Sequence, residues 1–524
     1  MRPYPVVIIS LEEYDNLGVG YLCAVLSLAG YNAKSLDFRL PKKTILEKLK
    51  EMDPILVGFS VIYEDYIDVF ADMMGFLRNQ GITCHFVAGG FYASLRHEEI
   101  FDLLPSLDSV VRFEGEFTLL ELANCLSEGK EWKTLNGIAY KKDNHVITNP
   151  LRHPEKDLDI FPFPLRAPFK DYTPGKKFAT LIAGRGCTHN CIFCNIREFY
   201  KRSSGPIKRL RSVENVANEM EMLYHREGCS VFLFSDDDFP VGKGQDKKWA
   251  ESFCREISRR KLDKRIIWKI NCRPDDVEYD TFMMMMSHGL SLVFLGIEDG
   301  TNHGLTILNK NMTIEESLRG INILKDLSIG FDYGFMLFQP TSTFNSVREN
   351  LGFLGSICGD GYTPVSFLKV QPYFETDLEK SLKMEGRLKG RPGYLDYDFT
   401  DKSLDHYFHF VIGCLNEWLM GVSGLLNILR WARNYLMVYS RLPGISPQFS
   451  VISGNVKRIT SESNIFMLKI LEELTGVFET GRYNNGDYSP LENYKKKIRS
   501  LQEGYARRIN DQMILLLRLA GQIH

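Results

Sequence analysis

The sequence lacks the features that mark a membrane protein or a nucleic-acid-binding protein. Its 524 residues carry a formal net charge of −2, so no excess of one sign indicates a nucleic-acid partner or an anionic membrane surface. No uninterrupted apolar run reaches the roughly 18–20 residues of a spanning helix. The opening MRPYPVVIIS lacks the long apolar region and cleavage site of a signal peptide. We therefore expect a cytoplasmic protein with no nucleic-acid and no membrane partner.

The sequence also lacks the cysteine pattern of a disulfide framework. The eleven cysteines are an odd number, and eight of them are scattered singly in apolar surroundings, where a small core residue is expected. Only Cys187, Cys191 and Cys194 are clustered, in the stretch GRGCTHNCIFCN. The spacing is C-x3-C-x2-C, and no fourth cysteine is near.

What is present is an α/β pattern in three parts. Short β-branched runs alternate with helical patterns over residues 1–128, which predicts a Rossmann-like, doubly wound parallel sheet. Residues 129–175 read as a small hairpin followed by a proline-rich linker. Six further strand–helix units over 176–395 are too few for a closed eight-unit barrel and predict a partial (β/α)6 barrel. Residues 396–524 read as a helical C-terminal domain.

The clustered cysteines allow two kinds of metal site. A zinc site needs four tetrahedral ligands, and His189 would have to complete it from the same tight loop. A four-iron cluster held by three thiolates leaves one iron open to a substrate or cofactor. The predicted strand 179–184 would deliver the loop to the carboxyl end of the barrel, where active sites of parallel α/β barrels gather.

With an aromatic residue, Phe193, before the last cysteine, the motif resembles that of the radical S-adenosylmethionine superfamily. The resemblance implies a [4Fe–4S] cluster bound by Cys187, Cys191 and Cys194. It also implies that S-adenosylmethionine binds the open iron and is cleaved reductively to a 5′-deoxyadenosyl radical. His189 would then not be a ligand.

Later segments resemble other motifs of this superfamily, in the expected order. FLFSDDDF resembles its second-strand motif, NCRPD ends the third strand, and FLGIEDG resembles its fourth-strand G-x-E element. FMLFQPTST departs from its usual fifth-strand sequence, and VQPYFETDL departs from its usual sixth-strand ending. Taken alone, the aspartates could simply cap the next helix. The residues predicted to bind S-adenosylmethionine are Phe193, Asp236, Asp237, Asp238, Arg273, Glu298 and Gln339.

The first domain does not complete a dinucleotide-binding fingerprint, because Cys23 stands where G-x-G-x-x-G needs its third glycine. It resembles instead the cobalamin-binding module that precedes many radical S-adenosylmethionine enzymes. The D-x-H-x-x-G motif that supplies a histidine to cobalt is absent, so cobalamin is expected to bind without it. We expect glycines to allow close approach of the corrin. The predicted cobalamin-binding residues are Gly18, Gly20, Ser60, Gly89, Gly90, Phe91, Tyr92, Glu114, Gly115 and Glu116.

Together the two resemblances imply a cobalamin-dependent radical enzyme. The main expectation is a C-methyltransferase that methylates an unactivated carbon of a natural-product or peptide intermediate through methylcobalamin. A cyclase or ring-rearranging enzyme of the same family is the alternative, and a non-catalytic iron–sulfur or cobalamin sensor is a more distant one. The expected partners are a small-molecule or peptide substrate and an electron donor such as flavodoxin or ferredoxin. Tyr407 and Phe408 in the helical region are candidates either for a cavity wall or for the core.

Overall fold

The computed structural model describes residues 4–12, 15–441, 447–483 and 485–521. The chain forms two compact units. Unit 1 consists of Met1–Lys170, Ala179–Leu223 and Pro372–Asp396, and unit 2 of Asp171–Phe178, Tyr224–Gln371 and Tyr397–His524.

Unit 1 is built on a parallel sheet whose first five strands are ordered β2-β1-β3-β4-β5. The strands are Pro5–Ser10 (β1), Asn32–Asp37 (β2), Leu56–Ser60 (β3), His85–Gly89 (β4) and Ser109–Val111 (β5). The helices are Leu17–Leu28 (α1), Lys42–Met52 (α2), Ile67–Asn79 (α3), Phe91–Leu95 (α4), Ile100–Leu103 (α5) and Glu116–Glu128 (α6).

Buried apolar residues cover both faces of this sheet. Val57, Phe59 and Phe86 pack in one core cluster, whereas Val6 and Ile8 pack in another. Strands covered on both faces are typical of doubly wound α/β folds, so this prediction is confirmed. The order reverses beside β1, and such a switch point is where these sheets bind ligands.

The predicted hairpin is also present. Ile138–Lys142 (β6) and His145–Thr148 (β7) pair antiparallel, and β6 pairs antiparallel with β5. The hairpin therefore extends the first sheet to seven strands.

The middle of the chain contains a second, six-stranded sheet in the order β15-β14-β13-β12-β9-β8. The strands of this region are Asp171–Thr173 (β8), Lys176–Leu181 (β9), Gly184–Arg185 (β10), Arg209–Leu210 (β11), Cys229–Phe234 (β12), Ile267–Cys272 (β13), Leu290–Glu298 (β14), Gly330–Phe335 (β15), Leu388–Lys389 (β16) and Asp396–Tyr397 (β17). The helices are Ile196–Arg202 (α7), Val213–Met222 (α8), Gln245–Arg259 (α9), Tyr279–Ser287 (α10), Asn302–Ile307 (α11), Ile314–Asp326 (α12), Phe344–Cys358 (α13) and Asp377–Met384 (α14).

The two faces of this second sheet differ in chemistry. Trp268 of β13 is 1% exposed and packs on Phe253 of α9, with ring centroids 5.6 Å apart, so helices cover that face. Because side chains alternate along a strand, Lys269 and Asn271 project from the other face, which we call the inner face. The curled parallel sheet confirms the predicted partial barrel.

The sixth predicted barrel strand, residues 367–371, does not form a regular strand. It makes an isolated bridge between Phe338 and Lys369. Backbone hydrogen bonds still join it to residues 335–338, from the N–H of Leu368 to the carbonyl of Phe335 at 2.9 Å and from the N–H of Val370 to the carbonyl of Phe338 at 2.9 Å. The sixth strand of the sheet is instead β8, which pairs antiparallel with β9 at the opposite edge.

The C-terminal region is helical, as predicted. Its helices are Lys402–Met420 (α15), Leu425–Ser440 (α16), Pro447–Glu479 (α17) and Glu492–Leu519 (α18). The basic helix α18 packs against α15, α16 and α17. Tyr407 is fully buried and donates a hydrogen bond to the carbonyl of Leu471 at 3.1 Å. Tyr407 therefore belongs to the core, whereas Phe408 is partly exposed and packs on Phe338 with ring centroids 5.1 Å apart.

One part of this region meets a simple length-and-composition criterion for a membrane span. Within residues 402–440, an 18-residue window has a mean hydropathy of 1.3, although polar residues such as Glu417 interrupt the apolar run. The segment is two helices, α15 and α16, and 39% of the window is buried. Core helices of globular proteins meet the same criterion.

Candidate active site

The cysteine loop is held by a short hairpin at its base. Arg185 of β10 pairs antiparallel with Arg209 of β11. Gly186 follows with φ +89°, and a Cβ there would lie 1.8 Å from the carbonyl oxygen of Ile207. Only glycine fits such a position. The residue before Cys187 is therefore fixed by close backbone packing.

The three cysteines of the loop suit a cluster better than a single zinc ion. All three are partly exposed, and none of the cysteines in the described part of the chain forms a disulfide. Their ligand atoms do not all lie within 4.8 Å of one another. Thiolates around one tetrahedral zinc would be about 3.8 Å apart, given Zn–S bonds of about 2.3 Å. A ring nitrogen of His189 lies within 4.8 Å of the Cys187 sulfur.

Arg185 is the main charged contact of this hairpin. Its Nη2 donates to Glu116 Oε1 at 2.7 Å, and its Nη1 lies 3.5 Å from Glu114 Oε1. The guanidinium also lies 5.1 Å from the ring centroid of Tyr21 and 4.9 Å from that of Phe161. Burial alone would lower the pKa of Arg185, but Glu116 and Glu114 raise it above its ordinary value. The residue is thus held as a cation beside the cysteine loop.

Arg209 reinforces the same contact. Its Nη1 donates to Glu114 Oε2 at 3.1 Å and to the carbonyl of Glu155 at 2.5 Å. Glu114 and Glu116, predicted to bind cobalamin, therefore form ion pairs with the hairpin that carries the cysteine loop. Neither the composition nor the motif spacing of the sequence predicts Arg185 or Arg209 as ion-pair partners of these two glutamates.

A second buried ion-pair network lies behind the same hairpin. Arg166 forms a salt bridge with Asp15, and its Nη2 lies 2.6 Å from Glu219 Oε1. Arg211 Nη1 lies 2.7 Å from Glu219 Oε2. Because removing one member leaves a buried charge unpaired, this network stabilises the linker and the hairpin together.

The glycines predicted to approach the corrin lie at the carboxyl ends of the strands of the first sheet, or at the helix starts that follow. For two of them the structure shows a packing reason. A Cβ on Gly20 would lie 2.5 Å from the Leu165 carbonyl oxygen, and one on Gly90, with φ +105°, 2.8 Å from that of Val61. A Cβ on Gly115 would lie 3.1 Å from Val111. The remaining predicted positions here are Gly18 in α1, Ser60 ending β3 and Gly89 ending β4.

The aromatic pair at the start of α4 packs inside unit 1. The Phe91 ring lies 4.2 Å from that of Phe199 in α7, which follows the cysteine loop. Tyr92 is 1% exposed, donates a hydrogen bond to Glu99 and packs edge-on against Phe374 at 4.9 Å. These contacts join the first sheet of unit 1 to the elements around the cysteine loop.

The segment that departs from the family's sixth-strand ending makes similar contacts in unit 1. The backbone N–H of Leu378 donates to the carbonyl of Ile192, between the second and third cysteines, at 3.1 Å. Arg96 donates to Glu379 at 2.6 Å. Tyr373 is 41% exposed; burial and the nearby Tyr63 raise its pKa. In the sequence, Tyr373, Phe374 and Glu375 stand where the sixth-strand ending of the superfamily usually has small residues.

In unit 2, the three predicted aspartates follow β12. Asp236 and Asp238 are buried, and Asp237 is exposed. The carbonyl of Asp236 accepts a hydrogen bond from Asn271 Nδ2 at 3.1 Å. The next helix, α9, begins only at Gln245, with Gly244 at its N-cap, so the aspartates do not cap it.

Glu298 ends β14 in an unusual conformation, with φ +70°. Its Oε1 accepts a hydrogen bond from Lys310 Nζ at 3.2 Å. A Cβ on Gly296 would lie 2.8 Å from both of these atoms, and one on Gly334 would lie 3.2 Å from Glu298 Oε2. The glycines thus leave room for the carboxylate on the inner face. Lys310 ends the stretch LNK at residues 308–310, and its contact with Glu298 was not predicted.

The other predicted residues of unit 2 are also fixed by hydrogen bonds. Arg273 Nε donates to Asp275 Oδ1 at 2.8 Å. Gln339 is 3% exposed, and its Nε2 donates to Asp299 Oδ2 at 2.5 Å. The buried Oε1 of Gln339 has no hydrogen-bond partner among the described residues. Phe193 is partly buried in the cysteine loop of unit 1.

Comparisons with known proteins match both parts of the chain. The B12 binding domain profile matches residues 5–123, and the radical SAM superfamily profile matches residues 181–354. The second match includes all three clustered cysteines.

Curated relatives and a solved structure agree with these matches. An uncharacterized methyltransferase of Pyrococcus horikoshii is 28% identical over 64% of this chain and 72% of its own. An anaerobic magnesium-protoporphyrin IX monomethyl ester cyclase of Rubrivivax gelatinosus is 27% identical over 63% of this chain and 60% of its own. This chain thus spans less than two thirds of the cyclase.

The fold is similar to that of the cobalamin-dependent S-adenosylmethionine radical enzyme OxsB, solved with aqua-cobalamin and S-adenosylmethionine bound. The TM-score is 0.69 at 15% identity, covering 99% of this chain and 80% of that one. The cofactors of the present chain are a [4Fe–4S] cluster, S-adenosylmethionine and cobalamin. The chain belongs to the cobalamin-dependent radical S-adenosylmethionine enzymes.

Proposed function

We propose that this enzyme is a C-methyltransferase acting on an unactivated carbon of a natural-product or peptide intermediate. The observation that carries the proposal is the contact of Arg185 with Glu114 and Glu116. This contact links the hairpin that carries the cysteine loop to the residues that follow strand β5 of the first sheet, within unit 1. Such a tie suits a reaction that needs the cluster and cobalamin in one cavity. The methyltransferase of Pyrococcus horikoshii, first among the relatives above, supports methyl transfer.

We assign the cofactors to residues as follows. Cys187, Cys191 and Cys194 hold the cluster as thiolates. Phe193, Arg273, Glu298, Gln339 and the Asp236–Asp238 segment hold S-adenosylmethionine. The strand-end loops of the first sheet hold cobalamin without a D-x-H-x-x-G histidine. When bound, the cluster and S-adenosylmethionine supply a carbon-centred radical, and cobalamin supplies the methyl group.

The protein's own part in the reaction is positioning and exclusion of water. Gly186 fixes the backbone before the first cysteine, because no side chain fits there. Lys310 holds the Glu298 carboxylate in one place on the inner face. Gln339 is oriented by Asp299, which leaves its buried Oε1 as an acceptor for a polar ligand group. Preorganised groups of this kind lower the cost of aligning reactants.

A cyclase or ring-rearranging enzyme is the second candidate. The specific observation in its favour is the similarity to the anaerobic cyclase of Rubrivivax gelatinosus, at nearly the same identity as the methyltransferase. A non-catalytic sensor is disfavoured, because a sensor would not need the ordered set of groups around Glu298.

We further propose a cytoplasmic enzyme that takes electrons from a flavodoxin or ferredoxin and acts on a small molecule or peptide, with neither nucleic acid nor membrane as a partner. A one-electron reductant is required because the reductive cleavage of S-adenosylmethionine consumes one electron.

The proposal is tested with S-adenosylmethionine carrying a CD3 methyl group. Anaerobically reconstituted protein, cobalamin and a titanium(III) reductant are incubated, and the small molecules are resolved by mass spectrometry. A methyltransferase yields both 5′-deoxyadenosine and CD3 label on cobalamin. Formation of 5′-deoxyadenosine with no label on cobalamin would favour the cyclase, and formation of neither would refute both enzymatic functions.

A further inference from the structure

We propose that Lys269 and Arg430, on the inner face of the unit 2 sheet, bind an oxyanion of the substrate, either a carboxylate or a phosphate. This inference rests on the proposed function, since it concerns the substrate of the same enzyme. All the residues concerned belong to unit 2.

Strand register places the charged side chains of the inner face in adjacent rows. Lys269 is paired in register with Leu292, and Leu292 with Gly330. The next row toward the carboxyl ends of the strands contains Asn271, Phe294 and Asp332. Lys269 and Asp332 therefore lie on one face of the sheet, one row apart.

Helix α16 adds two arginines to this face. Arg433 forms a salt bridge with Asp332 and donates to the carbonyl of Phe331 at 2.8 Å. Arg430 Nε lies 3.6 Å from Asp332 Oδ1. Burial opposes ionisation of Asp332, yet Arg433, Arg430 and Lys269 together lower its pKa. Three cations therefore surround one carboxylate, which leaves a local excess of positive charge.

The donors of this group exceed the acceptors available to them. Lys269 Nζ donates to Asn271 Oδ1 at 2.6 Å, and its other two hydrogens find no acceptor among the described residues. Arg430 Nη2 donates to Ser366 Oγ at 3.2 Å, whereas its buried Nε has no hydrogen-bond acceptor in the described part of the chain. Buried donors are normally satisfied, so the spare hydrogens of Lys269, beside the Arg430 guanidinium, suit an anionic ligand.

The charged side chains of this group are partly exposed. The side chains of Asp332, Arg433 and Arg430 are 15%, 16% and 28% exposed, and Lys269 is partly exposed. The Phe294 ring, whose centroid lies 5.7 Å from Lys269 Nζ, supplies an apolar wall. A site that joins two cations to an apolar surface fits an organic acid or a phosphorylated compound better than a neutral hydrocarbon.

A purely structural role for the cations would look different. Arg433 is engaged by Asp332, by Phe331 and, at 2.7 Å, by Thr363 Oγ1, as expected of a residue that joins α16 to the sheet, although its buried Nε, like that of Arg430, has no hydrogen-bond partner among the described residues. Lys269 lacks any comparable set of partners. If Lys269 served only in packing, an apolar residue would stabilise the strand more, because desolvating an ammonium group costs free energy.

The test measures binding of inorganic phosphate and of acetate to the reconstituted holoenzyme by isothermal titration calorimetry, at constant ionic strength set with chloride. We expect at least one of the two anions to bind. We expect Lys269→Gln and Arg430→Gln each to weaken that binding at least tenfold. Arg441→Gln, which removes a cation of the same helical region outside this face, is the matched control and should change it less than twofold.

Preference for phosphate or for acetate identifies which oxyanion the substrate carries. Absence of binding in the wild type, or equal binding in Lys269→Gln and the wild type, would overturn the inference. If Arg430→Gln does not fold, Lys269→Gln carries the test alone. Formation of 5′-deoxyadenosine by the wild type without substrate is scored separately, so failure of the proposed function is distinguished from failure of anion binding.

Discussion

The surroundings of the cysteine loop in unit 1 and the inner face of the unit 2 sheet use charge in opposite ways. In unit 1, Arg185 and Arg209 are each matched by glutamates, and Glu114 serves both. On the inner face, Asp332 faces two arginines and a lysine. The first region is neutralised internally and fixes a loop, whereas the second keeps charge available for a ligand.

The charged residues around the cysteine loop stabilise the structure of the site, whereas those of the inner face are expected to bind a ligand. A buried pair is expensive to break, because the remaining charge is left without compensation. A partly exposed cation with spare hydrogen-bond donors has no such partner to strand, so its removal costs little stability and instead affects binding.

Arg185→Met should give the largest loss of stability, about 3–5 kcal/mol in the free energy of unfolding, because it leaves Glu116 unpaired. The side chains of Arg185 and Glu116 are 12% and 7% exposed. The measurement is chemical denaturation of the apoprotein, together with cobalamin affinity of the holoprotein. As control, Arg39→Met removes a pair that is 45% and 20% exposed and should cost less than about 1 kcal/mol. Equal effects of the two variants would contradict the role given to Arg185.

On the inner face, Arg433→Met and Lys269→Met should differ in stability. Arg433→Met should cost about 3 kcal/mol, because it removes the strongest partner of Asp332. Lys269→Met should cost less than about 1 kcal/mol, because the lysine makes one hydrogen bond and methionine fills similar space. Both are followed by thermal denaturation. A larger loss for Lys269→Met than for Arg433→Met would contradict the comparison.

Glu64→Gln tests a carboxyl of unit 1 whose burial is not matched by a close cation. Glu64 is 8% exposed; burial, then Asp65 and Glu379, raise its pKa from 4.5 to about 7. The folded protein therefore retains a proton that the unfolded chain releases, so stability falls as the pH rises from about 4.5 to 7. Glu64→Gln should remove this loss and raise the free energy of unfolding by roughly 1–3 kcal/mol at pH 8.

The measurement is denaturant unfolding of wild type and variant at pH 5 and pH 8. The gain should be smaller at pH 5 than at pH 8, and the exposed Glu47→Gln serves as the control with no gain. A stabilisation independent of pH would mean that the effect of Glu64→Gln does not come from ionisation.

His189→Ala should have the smallest effect. The histidine lies beside Cys187 but is not needed if three thiolates hold the cluster. Iron content and the visible absorption of the reconstituted protein should stay within about 20% of the wild type. A loss of one quarter or more of the iron would make His189 a ligand.

The sequence predicts the order of elements well, because strand and helix periodicities are local. The cysteine loop and Glu298 were found for the same reason, since each lies in a short motif. Arg185 and Arg209 were not found as partners of Glu114 and Glu116, because these contacts join residues about 70–95 positions apart. The sixth barrel strand was predicted from its apolar residues, and in the structure it pairs with residues 335–338 through an isolated bridge and a few backbone hydrogen bonds. Arg430 reaches the inner face from a helix that resembles no known motif.

The most direct test measures 5′-deoxyadenosine after anaerobic reconstitution with iron and sulfide, reduction with dithionite and addition of S-adenosylmethionine. Cys191→Ala is compared with Cys125→Ala, which changes one of the scattered cysteines. We expect 5′-deoxyadenosine from the wild type and from Cys125→Ala, and a yield at least 100-fold lower from Cys191→Ala. Equal yields from Cys191→Ala and the wild type would contradict the assignment of the cysteine loop as the cluster site.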